Sequence, residues 1–392
     1  MKRKRSFSFL EEQPIAAASL AQVHRGWLAD GTQVAVKVQY PDFERLTWGD
    51  LFSIEAAAQA IAWFFPDFQF SWVVGEFEKN LEMEMDFVNE AKNAERIAHN
   101  FAHNKQIYVP KIYWNMTRRK VLCMEFIHGA KITDVPKLDQ MGINKREVAQ
   151  LLHELFCEQI FVHGFIHSDP HPGNILIRHL PSSPTHPQLV LLDHGLYRTL
   201  DEQFRLDYCH LWKAIFTGNR EAVEKYSRRM GAGEHHEIFS VILTFRPLDT
   251  GKTGPALVKD SEMSVAQVRL IRSQMRERNF QTVLSELLEN MDRQLLLVLR
   301  TNNLIRSIIK DLEEGGSVDR FLVMARYAIR GLYHRHDNSL SLPRRLRGVV
   351  ESTKFEARLQ ILSLVIHLYQ WWTRVVSWFY SFPASPVPVL DS

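Results

Sequence analysis

Apolar residues recur along this chain with two periods, and the change from one to the other sets out its elements. Residues 13–41, QPIAAASLAQVHRGWLADGTQVAVKVQYP, alternate: Val34, Val36 and Val38 share one side of an extended segment, while Ala35, Lys37 and Gln39 lie on the other. With Asp30 and Gly31 as turn residues, this stretch is predicted as strand, tight loop, strand, turn, strand. Two further apolar runs, 109–112 and 121–126, read as a strand pair leading into Ile127, His128 and Gly129 as a hinge. Elsewhere the period is three to four. It predicts an alanine-rich helix over 48–65, a connector over 66–72, one long helix over 73–98 and a helix around 135–142. Val148, Leu151, Leu152, Leu155, Phe156, Gln159 and Val162 mark another helix within 146–163, which Gly164 can end in a left-handed cap. Residues 175–177 and 189–192 read as short strands joined by HLPSSPTHPQ, too rich in proline to be other than a turn region. Helix-like periodicity then covers 201–217, 220–230, 263–275, 279–313 and 318–334.

The last apolar stretch has a different balance. From Leu359 to Phe382, Gln360, Ser363, His367, Gln370, Arg374, Ser377 and Ser381 form one narrow polar stripe on a helix otherwise built mostly of Ile, Leu, Val, Phe and Trp. A surface helix of a soluble protein shows the reverse proportion. At 1.5 Å per residue the stretch would extend about 36 Å, enough for a bilayer core of about 30 Å. Arg374 and His367 oppose simple spanning, whereas Trp371, Trp372, Trp378 and Tyr380 favour an interface, and Arg344, Arg345 and Arg347 suit anionic headgroups. The expectation is a membrane-associated helix; the alternative is a helix packed on the globular part with its stripe facing water.

The chemistry gathers in Phe165 to Asn174, FIHSDPHPGN, a turn too rich in proline and glycine to be helix. Asp169 and Asn174 stand five positions apart, and Asp193 ends an apolar run before His194 and Gly195. This is the layout of a kinase-type phosphoryl-transfer centre: a carboxylate to orient the attacking group, an amide oxygen for one metal ion, and a carboxylate for the metal that bridges phosphates. Lys37, within VAVKV, is costly to bury unless it meets an anion, and is the candidate phosphate-contacting lysine; the plain alternative is an edge-strand lysine reaching solvent. Upstream, Ala16, Ala17, Ala18 and Ser19 occupy the place where a kinase carries glycines, which narrows the backbone angles available around a nucleotide. Of the acidic residues Glu84, Asp86 and Glu90, the second and third share a helix face and Glu84 lies well round from them. Glu90 is the candidate partner of Lys37, against a merely solvated acidic face. Backbone groups of the hinge, with Glu125 at the end of the strand before it, are candidates for contact with adenine.

Composition narrows the classes. The chain has 392 residues, 45% apolar and 24% charged, enough for two or three packed units with a real core. A net charge of +3 gives no argument for nucleic acid. Cys123, Cys157 and Cys209 lack CxxC spacing and point to buried thiols in a reducing compartment. MKRKRSFSF is basic but lacks the apolar stretch of a secretory signal and is too short for a transit peptide. GKTG at Gly251 to Gly254 is not a P-loop, because Arg246 stands where its first glycine belongs. His163, His167 and His171 span a loop broken by Gly164 and Pro170, so helical metal-ligand spacing is not available.

PIAAASLAQVH, VAVKVQYP, LEMEMDFVNEAKNAER, VLCMEF, FIHSDPHPGN and LVLLDHG, spread over residues 13–197, resemble the UbiB family, also called the aarF-domain-containing or ADCK kinase-like proteins. The resemblance implies that Ala16 to Ser19 form the alanine-rich nucleotide loop, Lys37 and Glu90 an ion pair, and Glu84 with Asp86 the ExD element. It puts Asp169 at the catalytic-loop position and Asn174 and Asp193 on magnesium. It also implies ATP as nucleotide and a role in ubiquinone or other lipid metabolism at a mitochondrial membrane. Two departures stand out. The family carries a KxGQ element upstream of the alanine-rich loop, where only a dozen residues stand here, which implies a truncated form or a misassigned start. DHG replaces the more usual DFG.

The expectation is therefore an α+β, protein-kinase-like bilobal fold. A mixed small lobe covers 13–130, a mostly helical large lobe 131–335, and a basic linker, hydrophobic helix and Pro-rich tail 341–392. No APE-like element follows DHG, and the histidines two residues either side of Asp169 look like small-molecule phosphotransferase loops. The expected function is an atypical kinase or ATPase using ATP and Mg2+. Its expected partners are a lipid or membrane surface and a lipid-biosynthesis complex, with no nucleic acid. The rival is a catalytically weak pseudokinase scaffold for such a complex.

Overall fold

The alternation around Lys37 produces β4 (Gln33–Gln39), an inner strand of an antiparallel sheet with β1 (Phe7–Leu10), β3 (Ala21–Leu28) and β6 (Val121–Glu125) in the order β1-β3-β4-β6, while β2 (Ala16–Ala17) pairs with β3. The computed structural model describes residues 7–18, 20–41, 81–233, 291–312 and 317–333, together with scattered residues within 49–59, 239–243 and 350–361. Both faces of β4 are covered. Val34 and Val36 pack with Cys123 on one side; Ala35 joins Leu122, Met124, Phe87 and Ala91 in the main core on the other. Lys37 is on that second face and is 8% exposed, so it is not an edge-strand lysine reaching solvent. Gly31, at φ 85°, makes the turn, with Asp30 accepting from the Thr32 amide at 2.9 Å.

The long helix expected over 73–98 is broken. Residues 81–85 are helical, Asp86 is extended, and α1 (Phe87–Asn100) starts afresh with the Asp86 carboxylate accepting from the Val88 amide at 2.9 Å. A short acidic side chain competes for backbone amides, so it ends one helix and caps the next. Residues 73–80 lie outside the described part.

A second sheet has the order β5-β10-β9-β7, formed by β5 (Ile107–Tyr108), β7 (Ala130–Lys131), β9 (Ile175–Leu180) and β10 (Ser183–Leu191). Two expectations fail here. The pairing of 109–112 with 121–126 shrinks to a bridge between Ile112 and Met124, because Pro110 cannot donate to a ladder and β6 pairs with β4 instead. The proline-rich stretch is largely strand. Pro184 and Pro187 fall within β10 where its pairing with β9 is irregular, and the ladder with β5 begins only at Leu189. Proline is tolerated where one side of a strand has no partner.

Asp134 caps α2 (Val135–Gln140) and Asn144 caps α3 (Lys145–Cys157), which runs on into a π-helical turn, Glu158–His163, closed by Gly164 at φ 56°. β8 (Phe165–His167) then pairs antiparallel with β11 (Tyr197–Thr199). Later helices are α4 (Glu202–Thr217), α5 (Arg220–Arg229), α6 (Arg293–Leu312) and α7 (Ser317–Tyr333).

The chain divides into two compact units, one drawn from residues 1–159, 165–200 and 297–315, the other from 160–164, 201–296 and 316–392. The first holds both sheets and a core in which Leu152, Leu155, Phe156, Ile175, Ile177 and Leu189 meet Ile305, Ile308 and Ile309 of α6. In the second, Phe161 stacks on Tyr208 with centroids 5.2 Å apart, and the buried Arg205 donates to the carbonyls of Phe161 and Gly331 and to Glu202. The expected helices over 263–275 and 279–290, the GKTG stretch, most of 48–65 and the hydrophobic stretch 359–382 beyond Ile361 lie outside the described residues. Among the described residues no helix is long and apolar enough to cross a membrane.

Candidate functional site

Strand β4 and helix α1 bring together two charges far apart in sequence. Lys37 Nζ donates to both oxygens of Glu90, at 2.8 and 2.9 Å, and lies 3.9 Å from Asp193 Oδ1 and 5.1 Å from the centre of the Phe87 ring. Burial works against the ammonium, but Glu90 and then Asp193 outweigh it and hold Lys37 above its ordinary value. The lysine is therefore charged, while burial raises the Glu90 carboxyl above its ordinary value against the pull of Lys37.

The loop after β8 is shaped by its own backbone. His171 Nδ1 accepts from the Gly173 amide at 3.0 Å and caps the short 3-10 turn Pro172–Asn174; a Cβ at Gly173 would press on that ring. Asn174 is thereby aimed at Asp193: its Nδ2 donates to Asp193 Oδ2 at 3.0 Å, and its carbonyl accepts from the Leu192 amide at 3.0 Å. The Gly195 amide donates to the other oxygen of Asp193 at 3.0 Å. Desolvation pushes the Asp193 carboxyl up, but Lys37, followed by the Gly195 amide, brings it below the ordinary value, so it is an ionised carboxylate. Asp169, half exposed, has its backbone carbonyl accepting from the His171 amide at 2.8 Å and its side chain 3.5 Å from Arg300 Nη2.

Glu84, half-buried, stands in the helical stretch just before the break at Asp86. Burial raises its carboxyl, and the neighbouring Asp193 and Asp169 raise it further, which places it in the field of the same cluster. The break at Asp86 is what frees it from the periodicity of α1.

His194, in place of the usual aromatic, is 2% exposed. Its Nε2 lies 3.2 Å from the Leu191 carbonyl and so carries the hydrogen, leaving Nδ1 to accept from the Tyr197 hydroxyl at 3.1 Å. Burial and the neighbouring His167 push its pKa down to about 3. Neutral His194 thus fills an aromatic slot, stacked on Tyr197 at 5.7 Å, while its carbonyl accepts from Asn93 of α1 at 3.0 Å. His167 is likewise buried and lowered by burial, and its Nδ1 accepts from the Asp169 amide at 3.3 Å.

The remaining candidates are further out. Ala16 and Ala17 form β2, opposite Val23 and Gln22, and Ala18 closes the hairpin by donating its amide to Ala21; all three are exposed, and Ser19 lies outside the described residues. Glu125 Oε2 accepts from the Tyr108 hydroxyl at 2.5 Å and from the Lys111 amide at 3.2 Å.

An ionised carboxylate meeting an amide side chain suits magnesium, a hard ion that takes one or two protein oxygens and completes its shell with water and phosphate. Among the described residues no cluster of three or more His, Cys, Asp or Glu side chains is arranged to hold a metal by itself. Asp193 and Asn174 fit a metal that arrives with a phosphate ligand.

Sequence reasoning missed Arg300, Asn93 and the His167–Tyr197–His194 stack. Arg300 stood outside every motif, and Asn93 lay within LEMEMDFVNEAKNAER with no role assigned to it; Tyr197 followed DHG closely but has no motif of its own.

A family model described as the ABC1 atypical kinase-like domain matches residues 1–227. AarF domain-containing protein kinase 1 of Gallus gallus is 39% identical over 380 residues, 97% of this chain and 72% of that protein. Probable serine/threonine-protein kinase abkD of Dictyostelium discoideum is 40% identical over 374 residues, 93% of this chain and 52% of that protein, so the chain spans about half of that relative. Among solved structures, Rv3197 of Mycobacterium tuberculosis, determined with erythromycin, matches with a TM-score of 0.55 at 21% identity over 78% of this chain and 74% of that one, a likeness of fold.

Proposed function

Since the chain belongs to the ABC1 atypical kinase-like family, the aarF-domain group that its motifs resemble, we propose that it binds ATP with magnesium and moves the γ-phosphoryl group to a small-molecule acceptor or water. The observation that carries this reading is the meeting of Lys37, Glu90, Asp193 and Asn174: an ammonium fixed by one carboxylate, 3.9 Å from a second that is itself 3.0 Å from an amide. Lys37 contacts phosphate oxygens, Asp193 and Asn174 hold the metal, and Asp169 orients the attacking hydroxyl and accepts its proton. Magnesium, when bound, neutralises charge on the phosphate oxygens. The exposed hairpin at Ala16 to Ala18 covers the nucleotide with less backbone freedom than glycines give.

The finer reading has two sources: support of lipid or ubiquinone metabolism at a mitochondrial membrane follows from the family resemblance, and the stretch 359–382 as the membrane contact follows from its own apolar and polar pattern. Flotation with anionic liposomes tests that part; full-length protein that stays at the bottom of the gradient, like a chain lacking 354–392, removes it.

For the site, thermal unfolding is measured with and without nucleotide. ATP and magnesium at one hundred times the dissociation constant should add about 2.7 kcal/mol by mass action. No shift in the wild type, or an equal shift in Asp193→Ala, overturns the assignment. Asp169→Asn should keep binding and lose phosphate release. Wild-type protein that binds ATP yet releases no phosphate, with or without lipid, favours the scaffold reading instead.

A further inference from the structure

Arg300 is 131 residues from Asp169 in sequence, yet α6 sets its Nη2 3.5 Å from Asp169 Oδ1. The base of that side chain is fixed. Thr301, next to it, is fully buried, and Ile305, Ile308 and Ile309 lock the helix into the main core. The guanidinium itself is open, with 68% of the side chain exposed against 53% for Asp169. An ion pair this exposed adds little to stability, so a stronger anion displaces it readily.

The site has a use for such a cation. Phosphoryl transfer is governed by stabilisation of charge on the transferring group, commonly by lysine or arginine. The loop from Phe165 to Asn174 contains no lysine or arginine. Its two histidines are engaged at Nδ1 with the Asp169 and Gly173 amides, and Lys37 is held by both oxygens of Glu90.

We propose that Arg300 is the residue that meets the phosphoryl group in transit: it rests on Asp169, moves to the γ-phosphate oxygens when ATP is bound, and so frees the Asp169 carboxylate for the acceptor. A planar guanidinium binds two phosphate oxygens at once, a better match than one half-exposed carboxylate oxygen. In the step it serves, the bond from the β,γ-bridging oxygen to phosphorus breaks with its electron pair leaving on ADP. A bond from the acceptor or water oxygen to phosphorus forms, and the proton of that oxygen passes to Asp169. Arg300 changes no bond. The inference rests on the nucleotide-binding reading above.

The test compares wild type with Arg300→Gln, Arg300→Lys and Arg300→Ala, first for magnesium-dependent affinity toward ATP and ADP, then for phosphate release. Because the side chain is exposed, the unfolding midpoints should match wild type. Arg300→Gln should lose about tenfold in ATP affinity relative to ADP and about a hundredfold in turnover, with Arg300→Lys intermediate. Added guanidinium ion should restore part of the turnover of Arg300→Ala, a result that a purely structural role does not give. An unchanged ATP-to-ADP ratio in Arg300→Gln, or faster phosphate release, overturns the inference while leaving nucleotide binding intact; the second outcome makes Arg300 a brake. Wild-type protein that binds neither nucleotide sinks the underlying reading and this inference with it. If wild type binds nucleotide without turnover, the affinity ratio alone decides.

Discussion

Lys37 and Glu90 are buried together, at 11% and 2% side-chain exposure, so neither charge has water to fall back on. Removing one leaves the other uncompensated, which costs about 3–5 kcal/mol in buried pairs. Lys37→Met should therefore destabilise the protein by about that amount, and Lys37→Met combined with Glu90→Gln should recover much of the loss while still failing to bind nucleotide. Urea unfolding of the wild type, Lys37→Met, Glu90→Gln and the double variant checks this; additive losses would mean the pair is not coupled. His194 offers a pH test. Its folded pKa of about 3 lies below the ordinary 6.5, so between these values the unfolded chain binds a proton that the folded chain does not. Stability should fall as pH drops from 6.5 toward 3, by on the order of a few kcal/mol from this group. His194→Phe should unfold along a shallower pH curve, though it should be less stable near pH 7 because the Leu191 carbonyl and the Tyr197 hydroxyl lose their partner. An unaltered pH curve would show that His194 is not the group responsible.

At the level of elements, the break at Asp86 matters most for the site, since it separates the setting of Glu84 from that of Glu90. Asp86→Ala removes the cap of α1 and should cost about 1 kcal/mol, with Asp86→Asn close to wild type. Chemical denaturation of the two variants is the check, and equal losses would count against capping. In the second unit, Gly331 on α7 meets the Phe161 carbonyl so closely that a Cβ has no room, and Cys209 Sγ would lie 2.9 Å from it. Gly331→Ala should therefore destabilise by about 2 kcal/mol or more, against the usual gain from alanine in a helix. A variant as stable as wild type would mean that α7 can shift away from Phe161 without loss. The helical elements were the most legible ones: α4, α5 and α7 begin and end within a residue or so of the periodic stretches that announced them. Strands were less so. Pro187 looked like a turn because proline excludes central strands, and the sequence carries no sign of which edge of β10 has no partner at that residue.

For the whole molecule, the site lies within one of the two compact units, so nucleotide should protect amides there first. Hydrogen exchange with and without ATP and magnesium should slow around 33–39, 165–174 and 191–195 and leave α4 and α7 little changed. Protection confined to α4 and α7 would overturn the location of the site. The sequence by itself marked the candidate residues wherever they are written in short contiguous motifs: the lysine in VAVKV, the Asp169 and Asn174 spacing, and Asp193 at the head of DHG. Local backbone rules act over a few residues, and those motifs fit within them. Only the tertiary structure decided that Lys37 is buried on the second face of β4, that Glu90 rather than Glu84 or Asp86 reaches it, that Asn93 holds the His194 carbonyl, and that Arg300 arrives at Asp169. Those pairings join residues 53, 101 and 131 positions apart. Neither hydrophobic period nor spacing extends that far: it is burial of the shared core that sets which helix face meets which strand.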